Sequence, residues 1–421
     1  MVVYPYPRGL WLPFRPRAFT VFSQRRHKSI TAGPRRRDRV AANAQQKKED
    51  RVKSRQWLSL IACGALALGT AACGSSSSSS SSSSGAGGTK SSSGGGGGGT
   101  VNGAGSTLAA PVYQTWGSNL SSQGVTLNYA AVGSGAGIQQ WTSGTVDFGA
   151  TDPALKPAEI AAASAKGTPV LIPTVLGGIT VSYNLSTVKT GLKLDGATIA
   201  NIYLGKIKTW NDPAITALNA GTKLPPTPIT VVHRSDSSGT TQGFTTFLSG
   251  YSPTWKSTVG ANKSVKWPTG TGAQGNPGVA GAVKQTPGSI GYVEQAYALK
   301  NGFTYADVKN KAGNFVAPTL ASTSAAASGA KVSPDLAYSA IDSPNSAAYP
   351  IASQTFIVVH QDLCKAGTSQ AAAKALVSFL NYGLGQGQQV AQQISYAPLP
   401  APLLAKAKAA VSKLTCNGAP A

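Results

Sequence analysis

Residues 74–99 are Ser and Gly, broken only by Ala86, Thr89 and Lys90. A stretch of this kind has too little apolar surface to offset the entropy of ordering it, so it predicts a flexible tether over 74–100. It divides the chain of 421 residues into a short upstream segment and a body from 101 to 421.

The upstream segment reads as an export signal. Lys53 and Arg55 precede the apolar run Trp57-Leu58-Ser59-Leu60-Ile61-Ala62, which continues through small residues to Ala71-Ala72-Cys73. The run is shorter than the roughly 20 apolar residues a spanning helix needs. It is similar to a bacterial lipoprotein signal over 52–73, with Cys73 as the lipidated residue. Leu60-Ile61-Ala62-Cys63 fits the usual pattern better than Thr70 does before Cys73, yet leaves an apolar core of only six residues. Cys73 is preferred because the tether starts directly after it. Residues 1–51 are rich in Arg and Pro with no periodicity, and Met1 is the only Met. They are either an unfolded extension or lie upstream of a start at Val52. The expected location is outside the cytoplasm, lipid-anchored to the cell membrane.

Net charge is +23, but 15 of the 37 Lys and Arg and three of the 14 acids fall in residues 1–56. That leaves 22 bases against 11 acids in the rest. The remaining bases are scattered and rarely interleave with aromatics, which argues against a nucleic-acid partner. Excess basicity favours anionic ligands. Cys364 and Cys416 form an even pair in an exported chain, which points to a disulfide. His233 and His360 stand alone at no ligand spacing, so neither a metal site nor a cofactor is expected.

The body alternates strand-like and helix-like runs. Strands are expected at 125–132, 146–150, 170–175, 179–184, 229–234, 289–293 and 355–360. Helices are expected at 109–120, 157–165, 196–204, 240–248, 279–285, 369–382 and 403–414. The alternation predicts an α/β fold with a largely parallel sheet, and the length predicts two domains.

Three turns rich in Gly, Ser and Thr stand where helices begin: Gly103-Ala104-Gly105-Ser106-Thr107, Gly133-Ser134-Gly135-Ala136-Gly137 and Ser237-Ser238-Gly239-Thr240-Thr241. Unpaired N–H groups and the positive dipole end at a helix start suit an anion. Arg234 ends a strand just before the third turn and can hold two ligand oxygens at once. Asp236 is placed to fix its rotamer. Asp152 follows Val146-Asp147-Phe148-Gly149-Ala150-Thr151, at the end of a strand where open α/β sheets place ligands. An acceptor-only carboxylate suits an anion that still carries a proton, as phosphate does and sulfate does not.

These motifs, with Ile202-Tyr203-Leu204-Gly205-Lys206-Ile207-Lys208-Thr209-Trp210 and Gly288-Ser289-Ile290-Gly291-Tyr292-Val293-Glu294, resemble the phosphate-binding proteins of ABC-type phosphate importers over roughly 103–400. The resemblance implies a two-lobed periplasmic-binding fold of type II with the ligand in the cleft. Lobe I would be 101–181 and 351–421, lobe II 182–350. Inorganic phosphate would be held by Thr107, Leu108, Ser134, Asp152, Arg234, Ser238, Gly239 and Thr240, with Asp236 supporting Arg234. The family often has Phe where Leu108 stands, a change of little consequence if the backbone N–H is what binds. A monomer that delivers phosphate to membrane permease subunits is expected.

Three other readings compete with this one. A hydrolase would use Ser134 or Ser238, but Val132 stands where a Gly-x-Ser-x-Gly elbow needs glycine. A receptor for another oxyanion is distinguished by Asp152. A surface role with phosphate binding vestigial is compatible with the same residues.

Overall fold

The computed structural model describes residues 98–421. Cys73, the signal-like segment and nearly all of the Ser/Gly tract therefore lie outside the described residues. The last glycine of that tract is not tether: β1 (Gly99–Gly105) begins inside it.

The chain continues through α1 (Ala110–Leu120), β2 (Val125–Ala130), α2 (Ser134–Ser143), β3 (Phe148–Thr151), α3 (Pro157–Ser164) and β4 (Pro169–Tyr183). A second run holds α4 (Gly196–Tyr203), β5 (Thr230–Arg234), α5 (Gly239–Tyr251), β6 (Thr271–Ala273), α6 (Gly275–Gln285) and β7 (Ser289–Glu294). The chain then returns through β8 (Ala352–His360), α7 (Gln370–Gly383) and α8 (Ala401–Val411).

The main sheet is ordered β2-β1-β3-β8-β4-β7-β5-β6. It is mixed rather than largely parallel. The flanking pairs β1–β2, β1–β3, β5–β7 and β5–β6 are parallel. The central pairs β8–β3, β8–β4 and β4–β7 are antiparallel. The reason is topological: the chain crosses the sheet centre outward on β4 and comes back on β8, so these two strands must run in opposite directions.

Strand β4 also corrects the sequence reading, which expects two strands separated by Gly177-Gly178. The chain runs straight through the glycines and changes partner there. Residues up to Gly178 pair with β8, and from Ile179 onward they pair with β7. A Cβ on Gly177 would come within 3.1 Å of Glu294 Cγ, and one on Gly178 within 3.1 Å of Gln295 Oε1. The glycines thus let the end of β7 approach, which is a strand glycine's other use besides ending a strand. Almost every residue of β4 is buried, as a near-continuous apolar run requires. Pro173, which can donate no ladder bond, lies beside the register shift between Thr355 and Phe356 of β8.

Two helices begin earlier than their apolar patterns suggest: α5 at Gly239 and α6 at Gly275. Helix α2 begins inside the second Gly-rich turn, at Ser134, but is too weakly apolar to stand out as a pattern. Its close packing rests on glycine, since a Cβ on Gly137 would sit 2.3 Å from Gly105 Cα and 2.4 Å from the Ala104 carbonyl oxygen.

Cys364 and Cys416 are joined by a disulfide across a sequence separation of 52. It ties the C-terminal hairpin to the chain after β8, where Leu363 N–H also donates to the Thr415 carbonyl at 2.8 Å. Closing a loop of that length restricts the unfolded chain by about 4 kcal/mol on the chain-entropy account. Reduction, or replacement of both cysteines by Ala, should lower the denaturant midpoint accordingly. Unfolding curves with and without reductant that coincide would contradict this.

Candidate functional site

The three Gly-rich turns meet at one place beside the sheet centre. Gly135 N–H donates to the Ser237 carbonyl at 2.9 Å, joining the second turn to the third. Gly133 N–H donates to the Gly105 carbonyl at 2.8 Å, joining the second to the first. Gly105 adopts φ +143° and Gly133 φ +91°, both of which favour glycine. A Cβ on Gly239 would lie 2.4 Å from both Asp152 Oδ2 and Ser134 Oγ. The start of α5 is therefore seated directly on the carboxylate at the end of β3.

Asp152 is 1 % exposed. Ser106 Oγ donates to its Oδ1, and its own N–H donates to Ser134 Oγ at 3.3 Å. Gln354 of β8 donates to its carbonyl at 2.9 Å. Burial pushes the Asp152 carboxyl up to about 6, although the hydroxyls of Ser106 and Thr355 and the charge of Arg234 pull the other way.

Across from it, Arg234 is 2 % exposed at the end of β5. Its guanidinium forks onto Asp236, with Nε to Oδ1 at 2.7 Å and a second short contact from Nη2 to Oδ2. Nη1 donates to Thr240 Oγ1 at 3.3 Å. Gly275 N–H, at the start of α6, also donates to Asp236, at 3.0 Å. Burial alone would raise the Asp236 carboxyl, but Arg234 outweighs it and holds the group below the ordinary carboxylate range.

The structure brings all eight expected residues together. Ser134, Asp152 and Gly239 converge as above. Thr107 and Thr240 are bridged by Asn276, and Leu108 follows Thr107 in the first turn, with its side chain buried in the core. Ser238 is the N-cap of α5: its Oγ accepts from Thr241 N–H at 3.0 Å, and its own N–H donates to the Lys263 carbonyl at 2.9 Å. Its hydroxyl proton and one lone pair remain uncommitted. Gly239 and Thr240 are the first two residues of α5, whose N–H groups have no intrahelical acceptor.

Four residues that sequence reasoning did not single out complete the shell. Ser106 holds Asp152, and Gln354 holds its backbone. Asn276 sits in Gly275-Asn276-Pro277-Gly278, a string that reads as a turn; Pro277 instead falls in the first turn of α6, where proline is tolerated. Glu294 is fully buried. Its Oε2 lies 2.9 Å from Tyr396 Oη and accepts from Ala296 N–H at 2.8 Å. Burial drives its carboxyl up to about 8.

The two histidines among the described residues take part in packing. His233 stacks on Trp267 at 4.6 Å, and His360 stacks on Trp141 at 4.5 Å with Nε2 3.1 Å from the Ala163 carbonyl. Among the described residues no three His, Cys, Asp or Glu are grouped to hold a metal ion. No helix among them is long and apolar enough to cross a membrane.

Residues 81–382 match the model of the PBP superfamily domain. The phosphate-binding protein PstS of Pasteurella multocida is 42% identical over 314 residues, which are 74% of this chain and 89% of that protein. The chain belongs to the PstS family. The PstS of Haemophilus influenzae is 41% identical over 313 residues, 73% of this chain and 91% of its own. Among solved structures, a human phosphate binding apolipoprotein superposes with a TM-score of 0.62 at 20% identity, covering 76% of this chain and 99% of that one. That likeness establishes the same fold.

The two buried carboxyls give this PstS family member a distinctive stability profile. For Asp152 and Glu294 the folded value lies above the unfolded one, so protonation stabilises the fold. The Glu294 contribution is full below its ordinary 4.5 and is lost as pH rises through about 8; that of Asp152 is lost through about 6. The opposite contribution of Asp236 changes only below its ordinary 3.8, outside this window. In urea unfolding of ligand-free protein, wild type should therefore lose stability relative to Glu294→Gln as pH rises from 6 to about 8. A difference constant across that range would show that Glu294 titrates normally.

Proposed function

We propose that the chain binds inorganic phosphate outside the cytoplasmic membrane and delivers it to the permease subunits of an ABC-type importer. The observation that carries this reading is the buried Asp152 carboxylate set among hydroxyls and helix-start amides, facing an Arg234 already neutralised by Asp236. Membership of the PstS family and the relatives' names support the same ligand.

The chemistry selects for a protonated anion. Helix-start N–H groups of Gly239 and Thr240, the N–H groups at Thr107 and Leu108, the hydroxyls of Thr107, Ser134, Ser238 and Thr240, and Arg234 all donate. Asp152 accepts. Monobasic and dibasic phosphate both bring a proton for that acceptor, whereas sulfate would set a bare oxygen against a buried negative charge. Each charge-assisted bond contributes roughly 1.5–3 kcal/mol net, so several suffice for a Kd of about 1 µM or tighter after the cost of immobilisation and closure.

Two lobes, 101–181 with 351–421 and 182–350, would close on the ligand, hinged where β4 changes partner. Each lobe supplies four of the eight site residues, so ligand contacts bias the closed state. Lys263 supports this arrangement: it is 5 % exposed and paired with Glu159 of α3 across the proposed cleft. The protein would act as a monomer held at the membrane through lipidated Cys73. It is read as a carrier and not an enzyme: Ser134 and Ser238 serve as hydrogen-bond partners at helix starts, and the histidines pack against tryptophans.

Calorimetry on the purified protein tests the reading. Phosphate should bind and sulfate should not compete. Asp152→Asn, which can donate as well as accept, should weaken phosphate by about 10- to 100-fold, as expected for one charge-assisted bond, and let sulfate compete. Equal wild-type affinities for the two anions would overturn the assignment.

A further inference from the structure

Asn276 touches no open space, being 0 % exposed, and every polar atom of its side chain is committed. Oδ1 accepts from Glu294 N–H at 2.9 Å, which settles which end of the amide is nitrogen. Nδ2 donates to Thr107 Oγ1 at 2.9 Å and to Thr240 Oγ1 at 3.2 Å. Each of these hydroxyls receives a second donor. Asn276 N–H reaches Thr107 Oγ1 at 3.2 Å, and Arg234 Nη1 reaches Thr240 Oγ1 at 3.3 Å.

A hydroxyl has two acceptor lone pairs and one proton. Two N–H groups aimed at each oxygen occupy both lone pairs, so each threonine has only its proton left to give. A free threonine hydroxyl, by contrast, rotates and either donates or accepts as its neighbour requires. We propose that Asn276 is a positioning residue of the phosphate site: it fixes the polarity of Thr107 and Thr240 so that both present protons to the anion. This rests on the phosphate reading above and deepens it.

The consequence concerns selectivity. Ser134 Oγ already accepts from Asp152 N–H, and Ser238 Oγ from Thr241 N–H. Ser106 Oγ gives its proton to Asp152. With both lone pairs of Thr107 and Thr240 occupied, Asp152 is the one charged acceptor for the proton carried by the ligand; Ser134 and Ser238 each keep a single lone pair, a weaker neutral acceptor. Two further hydroxyls free to turn would add more such places and loosen the discrimination between protonated and fully ionised anions.

A double-mutant cycle on the full chain separates this role from packing. Asn276→Asp keeps the shape but replaces the donating nitrogen by an accepting oxygen. The threonine hydroxyls then donate to it and turn lone pairs toward the ligand. Phosphate affinity is measured by calorimetry for wild type, Thr107→Val, Asn276→Asp and the pair, with Asn276→Ser run in parallel and thermal unfolding as the check on folding. In the wild-type background Thr107→Val should cost about tenfold or more, one donor to an anion. In either Asn276 background it should cost less than about twofold, or improve binding. If Asn276 only packs, Thr107→Val costs the same factor in every background, and the proposal fails. A wild type that binds no phosphate fails the functional reading itself, a separate and recognisable result.

Discussion

A carboxylate removed from water must be given donors or lose its charge, and that constraint organises the centre of this molecule. Asp152 is buried where β3 ends, and its neighbours are chosen for it: the Ser106 hydroxyl on one oxygen, Gly239 close to the other, Gln354 on its backbone. Any side chain at Gly239 would strike Asp152 and Ser134, so the requirement for glycine comes from the carboxylate and not from the helix. Arg234 is close enough to lower the Asp152 carboxyl but is turned onto Asp236 by two bonds. The acid therefore stays poised near neutrality, neither firmly paired nor permanently protonated.

The sheet makes that meeting possible. Asp152 comes from the strands before β4 and Arg234 from those after it, so nothing local brings them together. What does so is one 15-residue strand buried along most of its length, changing partner from β8 to β7 at Gly178 and Ile179. The same crossing places Glu294, at the last position of β7, 2.9 Å from the Oη of Tyr396 near the C-terminus, and that hydroxyl gives its one proton to the Leu108 carbonyl at 2.7 Å. The backbone carbonyls of Thr107 and Leu108 are thus held from distant parts of the sequence, by Tyr297 Oη at 2.9 Å and by Tyr396.

This explains what could and could not be read in advance. Local signals were legible: Ser238 as a cap, Arg234 at a strand end, Asp152 after a short apolar strand, and the helix at 110–120. Each depends on a few neighbouring residues. The strand over Gly177-Gly178 was misread because two glycines in sequence look like a break, and only a distant partner, the end of β7, gives them another purpose. Asn276 was hidden for the same reason. Its string looks like a turn, and its importance lies in two hydroxyls 169 and 36 residues away. The parallel character of the sheet was overestimated because strand–helix alternation is a local pattern, while the direction of β4 and β8 is set by the path of the whole chain.

The charge balance of the site carries one further step. Asp152, Asp236 and Arg234 together bring more negative than positive charge when ionised, and Glu294, raised to about 8, stays largely protonated at neutral pH. A site of this sign cannot attract an anion by bulk charge. The scattered lysines of the body act through solvent, where screening limits them to about 8–10 Å at ordinary salt, and so influence approach rather than discrimination. Affinity in the proposed phosphate site must then come from oriented dipoles: helix-start amides, and hydroxyls whose direction is fixed by the groups behind them. Dipoles of this kind are useful only while they are held in one orientation, because a hydroxyl that rotates turns from donor to acceptor at little cost. The buried second row behind the ligand-facing atoms (Asn276, Glu294, Asp236 and Ser106) is for that reason as much a part of selectivity as the atoms that would touch the anion.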